Sequence, residues 1–125
     1  MKPDYVAGGE LPPFANLGPG DNVTGYIRLV SPDMGKFEQT FIRFDLADSV
    51  DLSDKGVAQH FEREEIITLV SCGHLDWLLA DAEKHYGESL VSSGRRVTIG
   101  RLPDSKMSKG KYKNKAVKTY SLRVW

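Results

Sequence analysis

Residues 23–46 read VTGYIRLVSPDMGKFEQTFIRFDL, and this stretch decides the fold class. Successive side chains of a strand point to opposite faces, so Val23, Gly25, Ile27 and Leu29 fall on one side of an extended chain and Thr24, Tyr26 and Arg28 on the other. The same period returns in Thr40, Ile42, Phe44 and Leu46 against Phe41, Arg43 and Asp45. Between the two runs, Ser31-Pro32-Asp33-Met34-Gly35 is turn chemistry, with Pro fixing φ and Gly free to take positive φ. A half-buried β-hairpin is predicted, its apolar set inward and Tyr26, Arg28, Phe41 and Arg43 facing water. Gly25 inside the first strand marks a bulge or sharp bend, as a curling sheet needs.

Outward from the hairpin the signals are uneven. Towards the start, Gly8-Gly9, Pro12-Pro13 and Gly18-Pro19-Gly20 predict an irregular arm over residues 1–20, ahead of a single domain over 21–125. Towards the end, residues 47–64 are rich in acids and read equally as a short helix or a long loop. Ile66–Val70 reads as a third strand, apolar enough to be buried on both sides. Leu75, Leu78, Leu79, Ala82 and Tyr86 make the stripe of an amphipathic helix over 74–86, which Gly87 is placed to end. Arg96–Leu102 is a fourth strand with Val97 and Ile99 inward, and Lys118–Trp125 a fifth with Tyr120, Leu122 and Val124 inward. A long basic loop over 103–115 joins them.

A chain of 125 residues fits one core. No run approaches the about 18 apolar residues of a membrane-spanning helix, and the start lacks the apolar stretch of a secretory signal, so an intracellular, cytoplasmic protein is expected. The one cysteine, Cys72, excludes an internal disulfide framework. The zero net charge conceals a split. Residues 1–94 hold 7 Lys and Arg against 16 Asp and Glu, a net of −9, while residues 95–125 hold 10 against 1, a net of +9. Such a concentrated cation points to an anion-binding surface.

Two features carry that reading. The first is the cluster Arg95, Arg96, Arg101, Lys106, Lys109, Lys111, Lys113, Lys115 and Lys118, in which lysines alternate with Gly110, Tyr112 and Asn114. In an extended arm this puts a row of ammonium groups on one edge, matched to a phosphodiester backbone, and binding of that kind weakens with salt. The bland alternative is a solvated hairpin whose lysines discourage sheet pairing. The second is the mixture of rings and guanidinium groups on the wet faces of strands: Tyr26 with Arg28, Phe41 with Arg43, Trp125 with Arg123. Unpaired bases lie on aromatic faces for about 1–3 kcal/mol each, whereas a duplex hides them. RNA satisfies the same stacking chemistry. A ring of this kind is as well suited to packing under a loop or the arm.

Catalysis has thin support. Cys72 and His74 lie two apart with no third orienting group in view, His60, His74 and His85 lack metal-ligand spacing, and Asp48, Asp51 and Asp54 fall short of a calcium loop. No phosphate-loop motif calls for a nucleotide cofactor, so no cofactor or metal is expected.

Five short strands with a helix between the third and fourth, and a glycine in the first, resemble the OB fold, a five-stranded Greek-key barrel; a flatter α+β sheet with one helix across it is the competing architecture. With its exposed rings and basic segments, the chain resembles the small phage or bacterial single-stranded-DNA-binding proteins of that fold. The resemblance implies a non-enzymatic protein that binds single-stranded DNA with little sequence preference, in phage or plasmid replication or recombination. It places Tyr26, Arg28, Phe41 and Arg43 on the sheet part of the site and Lys106, Lys109, Lys111, Tyr112, Lys113 and Lys115 on the loop part; the basic cluster and the strand alternation add Arg96, Arg101, Arg123 and Trp125. Many members end in an acidic tail, whereas this sequence stops at Arg123-Val124-Trp125. Two other readings stand beside this one: an interaction module whose acidic body and basic quarter pair between subunits or with a partner, and a small nuclease.

Overall fold

A computed structural model describes the backbone of residues 11–106 and 116–125 and the side chains of 11–103 and 118–125. The hairpin read from the sequence is there as β1 (Asn22–Met34) and β2 (Gln39–Leu46). The acidic segment that read as helix or loop is a second hairpin, β3 (Val50–Asp54) and β4 (Val57–Phe61). Its turn is the two-residue Lys55-Gly56, both at positive φ (51° and 79°), the backbone that a tight hairpin demands. Then come β5 (Ile66–Ser71), α1 (Gly73–Tyr86), the short α2 (Leu90–Ser93), β6 (Arg96–Lys106) and β7 (Ala116–Val124).

The five long strands form one antiparallel sheet in the order β5-β2-β1-β6-β7, with β3-β4 as a separate two-stranded sheet. The chain returns from β5 through α1 to lay β6 beside β1, which is Greek-key order. The expected closed barrel is not formed: β5 and β7 are the two outer strands, and no ladder joins them among the described residues. Irregular chain and the first turn of α1 occupy that seam instead. Phe14 bridges Thr68 in parallel, with Ala15 N–H donating to Thr68 O at 2.9 Å and Thr68 N–H to Pro13 O at 2.8 Å. Further on, Gly20 N–H donates to Arg101 O and Arg101 N–H to Asp21 O, so the arm ties β5 to β6. Ala15 and Leu17 are buried in the core. At the start of α1, Tyr120 N–H donates to His74 Nδ1 at 3.0 Å and Cys72 Sγ lies 3.9 Å from Lys118 O, tethering the helix to β7. The two residues weighed as a thiolate–imidazole pair thus each meet the backbone of β7.

The core follows the alternation closely. Val23, Ile27, Ile42, Phe44, Leu46, Ile67, Leu69, Val97 and Ile99 are buried on the inner face, with Leu75 and Leu79 of α1 packed in the same cluster. Leu29 departs from the expected inner set. β1 pairs Ile27 with Phe44 and then Leu29 with Arg43, so Arg28 is the extra residue of a bulge. The parity flips there, and Leu29 stands on the wet face at 45% exposure. The bulge is therefore at Arg28 and not at Gly25. The turn also falls later than expected, at Gly35-Lys36-Phe37-Glu38, where Glu38 N–H donates to Gly35 O. Pro32 is accommodated because this end of β1 pairs only with β2 and has a second irregularity between Ser31 and Met34.

Gly25 has a different purpose. It pairs with Leu46 of β2 and with Val97 of β6 at once, at the point where β1 passes from one neighbour to the other. A Cβ there would sit 2.0 Å from Asp45 O.

Candidate nucleic-acid interface

The outer face of the sheet is built by pairing register. Tyr26 is opposite Asp45 of β2 and Arg96 of β6, and Trp125 N–H donates to Arg96 O at 2.8 Å. Tyr26, Arg96 and Trp125 therefore stand in one row across three strands. The next row is Thr24, Thr98 and Arg123, with the two threonine hydroxyls 2.8 Å apart. Guanidinium groups lie along the rings: Arg28 is 5.1 Å from the Tyr26 centroid, and Arg96 and Arg123 are 4.9 and 5.6 Å from that of Trp125. Trp125 is 51% exposed. Beyond the row, Arg95 is 4.0 Å from the Tyr86 ring of α1 and is held by Glu88 and by Trp125 O.

The other expected residues divide between that face and other places. Arg43 is exposed on the same face, beside Leu29. Phe41 is half-buried, its ring packed edge-on against Phe14 of the arm at 5.3 Å, so it serves to hold the arm down. Arg101 does not join the surface. It follows the inward parity of Val97 and Ile99, is 6% exposed, and donates from Nη1 to Leu17 O at 2.8 Å, with Asp54 at 3.8 Å. Lys106 is placed by its backbone as the last residue of β6, and Lys109, Lys111, Tyr112, Lys113 and Lys115 lie outside the described residues. The loop that carries them starts at the far end of β6 from Arg96, about 33 Å away along a straight strand.

Two contributors escaped the sequence reading. Phe14 adds a ring beside Phe41, and the turn between β4 and β5 brings Arg63 and Glu64 to the edge of a hollow of about 400 Å³ beside Tyr26, Arg28 and Asp45. Nothing in the local sequence places that turn, because it docks through Glu64 N–H to Leu46 O. Arg28 itself is bound to Asp45, with Nη2 at 2.9 Å from Oδ2, an exposed pair of small energetic weight.

The acidic hairpin carries a separate cluster of polar side chains. His60 of β4 has Nδ1 2.6 Å from Asp51 and Nε2 2.7 Å from Glu62. Carboxylates only accept, so both contacts are hydrogen bonds when each ring nitrogen carries a proton. These hydrogen bonds, Glu62 first and then Asp51, raise the His60 pKa above 6.5. The interaction contributes fully below pH 6.5 and is expected to fade as pH rises through the raised folded value. An NMR titration of the His60 ring should give a midpoint above 6.5 that falls in Glu62→Gln; an unchanged midpoint would show the ring to be free of Glu62.

Comparison of the chain with protein-family models, with curated proteins and with solved structures gave no match, so the functional reading rests on the chain's own geometry.

Proposed function

We propose that this is an OB-type protein that binds single-stranded DNA with little dependence on sequence, acting by binding alone. The observation that carries the reading is the row of Tyr26, Arg96 and Trp125 on the exposed face, with three guanidinium groups along its two rings. A nucleotide presents a π-face and a phosphate a few ångströms apart. The row offers aromatic surface with cations about 5 Å from the ring centroids, and a guanidinium plane can itself stack on a base. The OB assignment draws support from the strand order and from the helix between the third and fourth strands of the sheet; that fold is a partly open barrel, consistent with the seam between β5 and β7. The lysine-rich loop is proposed to extend the path of the strand. Transient single strands of replication or recombination, in a phage or plasmid setting, are the proposed context.

Titration of a fluorescent (dT)12 at two salt concentrations tests this. Binding should be micromolar or tighter at low salt. Four or five neutralised phosphates would give a drop of more than about a hundredfold between 50 and 500 mM salt. An absence of binding at low salt would refute the reading. A parallel titration with the ribo-oligomer separates DNA from RNA.

A further inference from the structure

We propose that the hollow beside Tyr26 is a base-reading subsite that prefers guanine, an inference that rests on the single-strand reading above. The hollow has a volume of about 400 Å³, enough for a base, and Tyr26 forms one wall. Its rim carries two unlike groups, Arg63 and Glu64. Their backbone is fixed: Glu65 N–H closes the turn onto Glu62 O at 3.1 Å, while Glu64 N–H to Leu46 O and Leu46 N–H to Glu65 O, at 2.8 and 3.0 Å, pin it to the end of β2. Glu64 holds φ at 72°, a left-handed backbone that a non-glycine residue adopts at some cost. Among the described residues, neither the Arg63 guanidinium nor the Glu64 carboxylate has an ion pair or a side-chain hydrogen bond, whereas Arg28 and Asp45, which also line the hollow, are engaged with each other.

A carboxylate without a partner, on a residue that lines the same hollow as an aromatic ring, can discriminate between bases. It only accepts, and its two oxygens match two adjacent donors. Guanine offers such a pair in N1–H and the N2 amine, and its O6 and N7 acceptors suit a guanidinium. Cytosine and adenine each present a single amino group with a ring-nitrogen acceptor beside it, and so no second adjacent donor. Thymine presents a single N3–H between two carbonyl oxygens, which the carboxylate repels. Guanine alone satisfies Glu64 with two donors and Arg63 with two acceptors while its face lies against Tyr26. The general reading of little sequence dependence then holds for the stacking row, with one position reading its base.

Competition by fluorescence anisotropy among (dT)12, d(TG)6, d(TC)6 and d(TI)6, at one low salt concentration, tests the subsite. The alternating oligomers bring the variable base to it in any register, and inosine lacks only the N2 amine. We expect d(TG)6 to bind about tenfold tighter than (dT)12 and d(TC)6, with d(TI)6 between. In Glu64→Gln the d(TG)6 advantage should shrink to less than about twofold while all four oligomers still bind; the ratio cancels the general gain from losing a negative charge. Equal affinities in the unmodified protein would overturn the subsite and leave the single-strand reading standing. An advantage retained by Glu64→Gln would overturn the assignment to Glu64. Failure of every oligomer to bind would overturn both readings together.

Discussion

Gly25→Ala is expected to destabilise the protein by about 3 kcal/mol, at the upper end of what overpacking usually costs. The new methyl carbon would lie 2.0 Å from Asp45 O and 2.9 Å from Phe44 Cε1. The first is backbone of a residue paired on both sides, with Tyr26 and with Ile66, and the second belongs to a ring with no exposed surface. Neither can withdraw without breaking the β1–β2 register on which the outer rows depend. Against a total stability of about 5–15 kcal/mol, this is a severe loss. In urea the unfolding midpoint should fall by about 1 M or more. A midpoint within about 0.3 M of the unmodified protein would show that the two strands are not as close at Gly25 as described.

The second large effect is on binding. Each of Tyr26→Ala and Trp125→Ala should weaken (dT)12 by about 1–3 kcal/mol, the usual value of a base stacked on a ring, and the double variant by at least about thirtyfold. Both rings are on the wet side of the sheet, where truncation leaves the inner cluster of Ile27, Phe44 and Val97 intact. The unfolding midpoint should therefore move little. A double variant that folds normally and binds within threefold of the original would remove the stacking row from the site.

How far the chain could be read beforehand depended on local signals. Alternation in β1, β2 and β6 gave the inner set apart from Leu29 and, with it, the outward placement of Tyr26, Arg28, Arg43 and Arg96. The stripe from Leu75 to Tyr86 likewise gave α1. The β3–β4 hairpin was hidden because only Leu52 and Phe61 of its strands are buried, and its acids masked an Asp54-Lys55-Gly56 turn signal. Arg101 was legible in principle: its parity with Val97 and Ile99 points inward, but its charge suggested water. The bulge at Arg28 has no sequence signature, since it comes from how β1 must curve between two neighbours. The seam was illegible for a related reason. Closure requires β5 to meet β7, and what lies there, Phe14 to Leu17 and the start of α1, comes from parts of the chain far apart in sequence.

On the reading proposed above, single strands lie on the face displaying Trp125. The chain has two tryptophans, and they occupy different elements: Trp77 is 62% exposed on α1, and Trp125 is 51% exposed in the stacking row. Fluorescence of Trp77→Phe and Trp125→Phe during titration with (dT)12 separates them. Saturable, salt-reversible quenching is expected in Trp77→Phe and little change in Trp125→Phe; quenching confined to the chain that keeps Trp77, or absent from both, would show that single strands do not lie against Trp125.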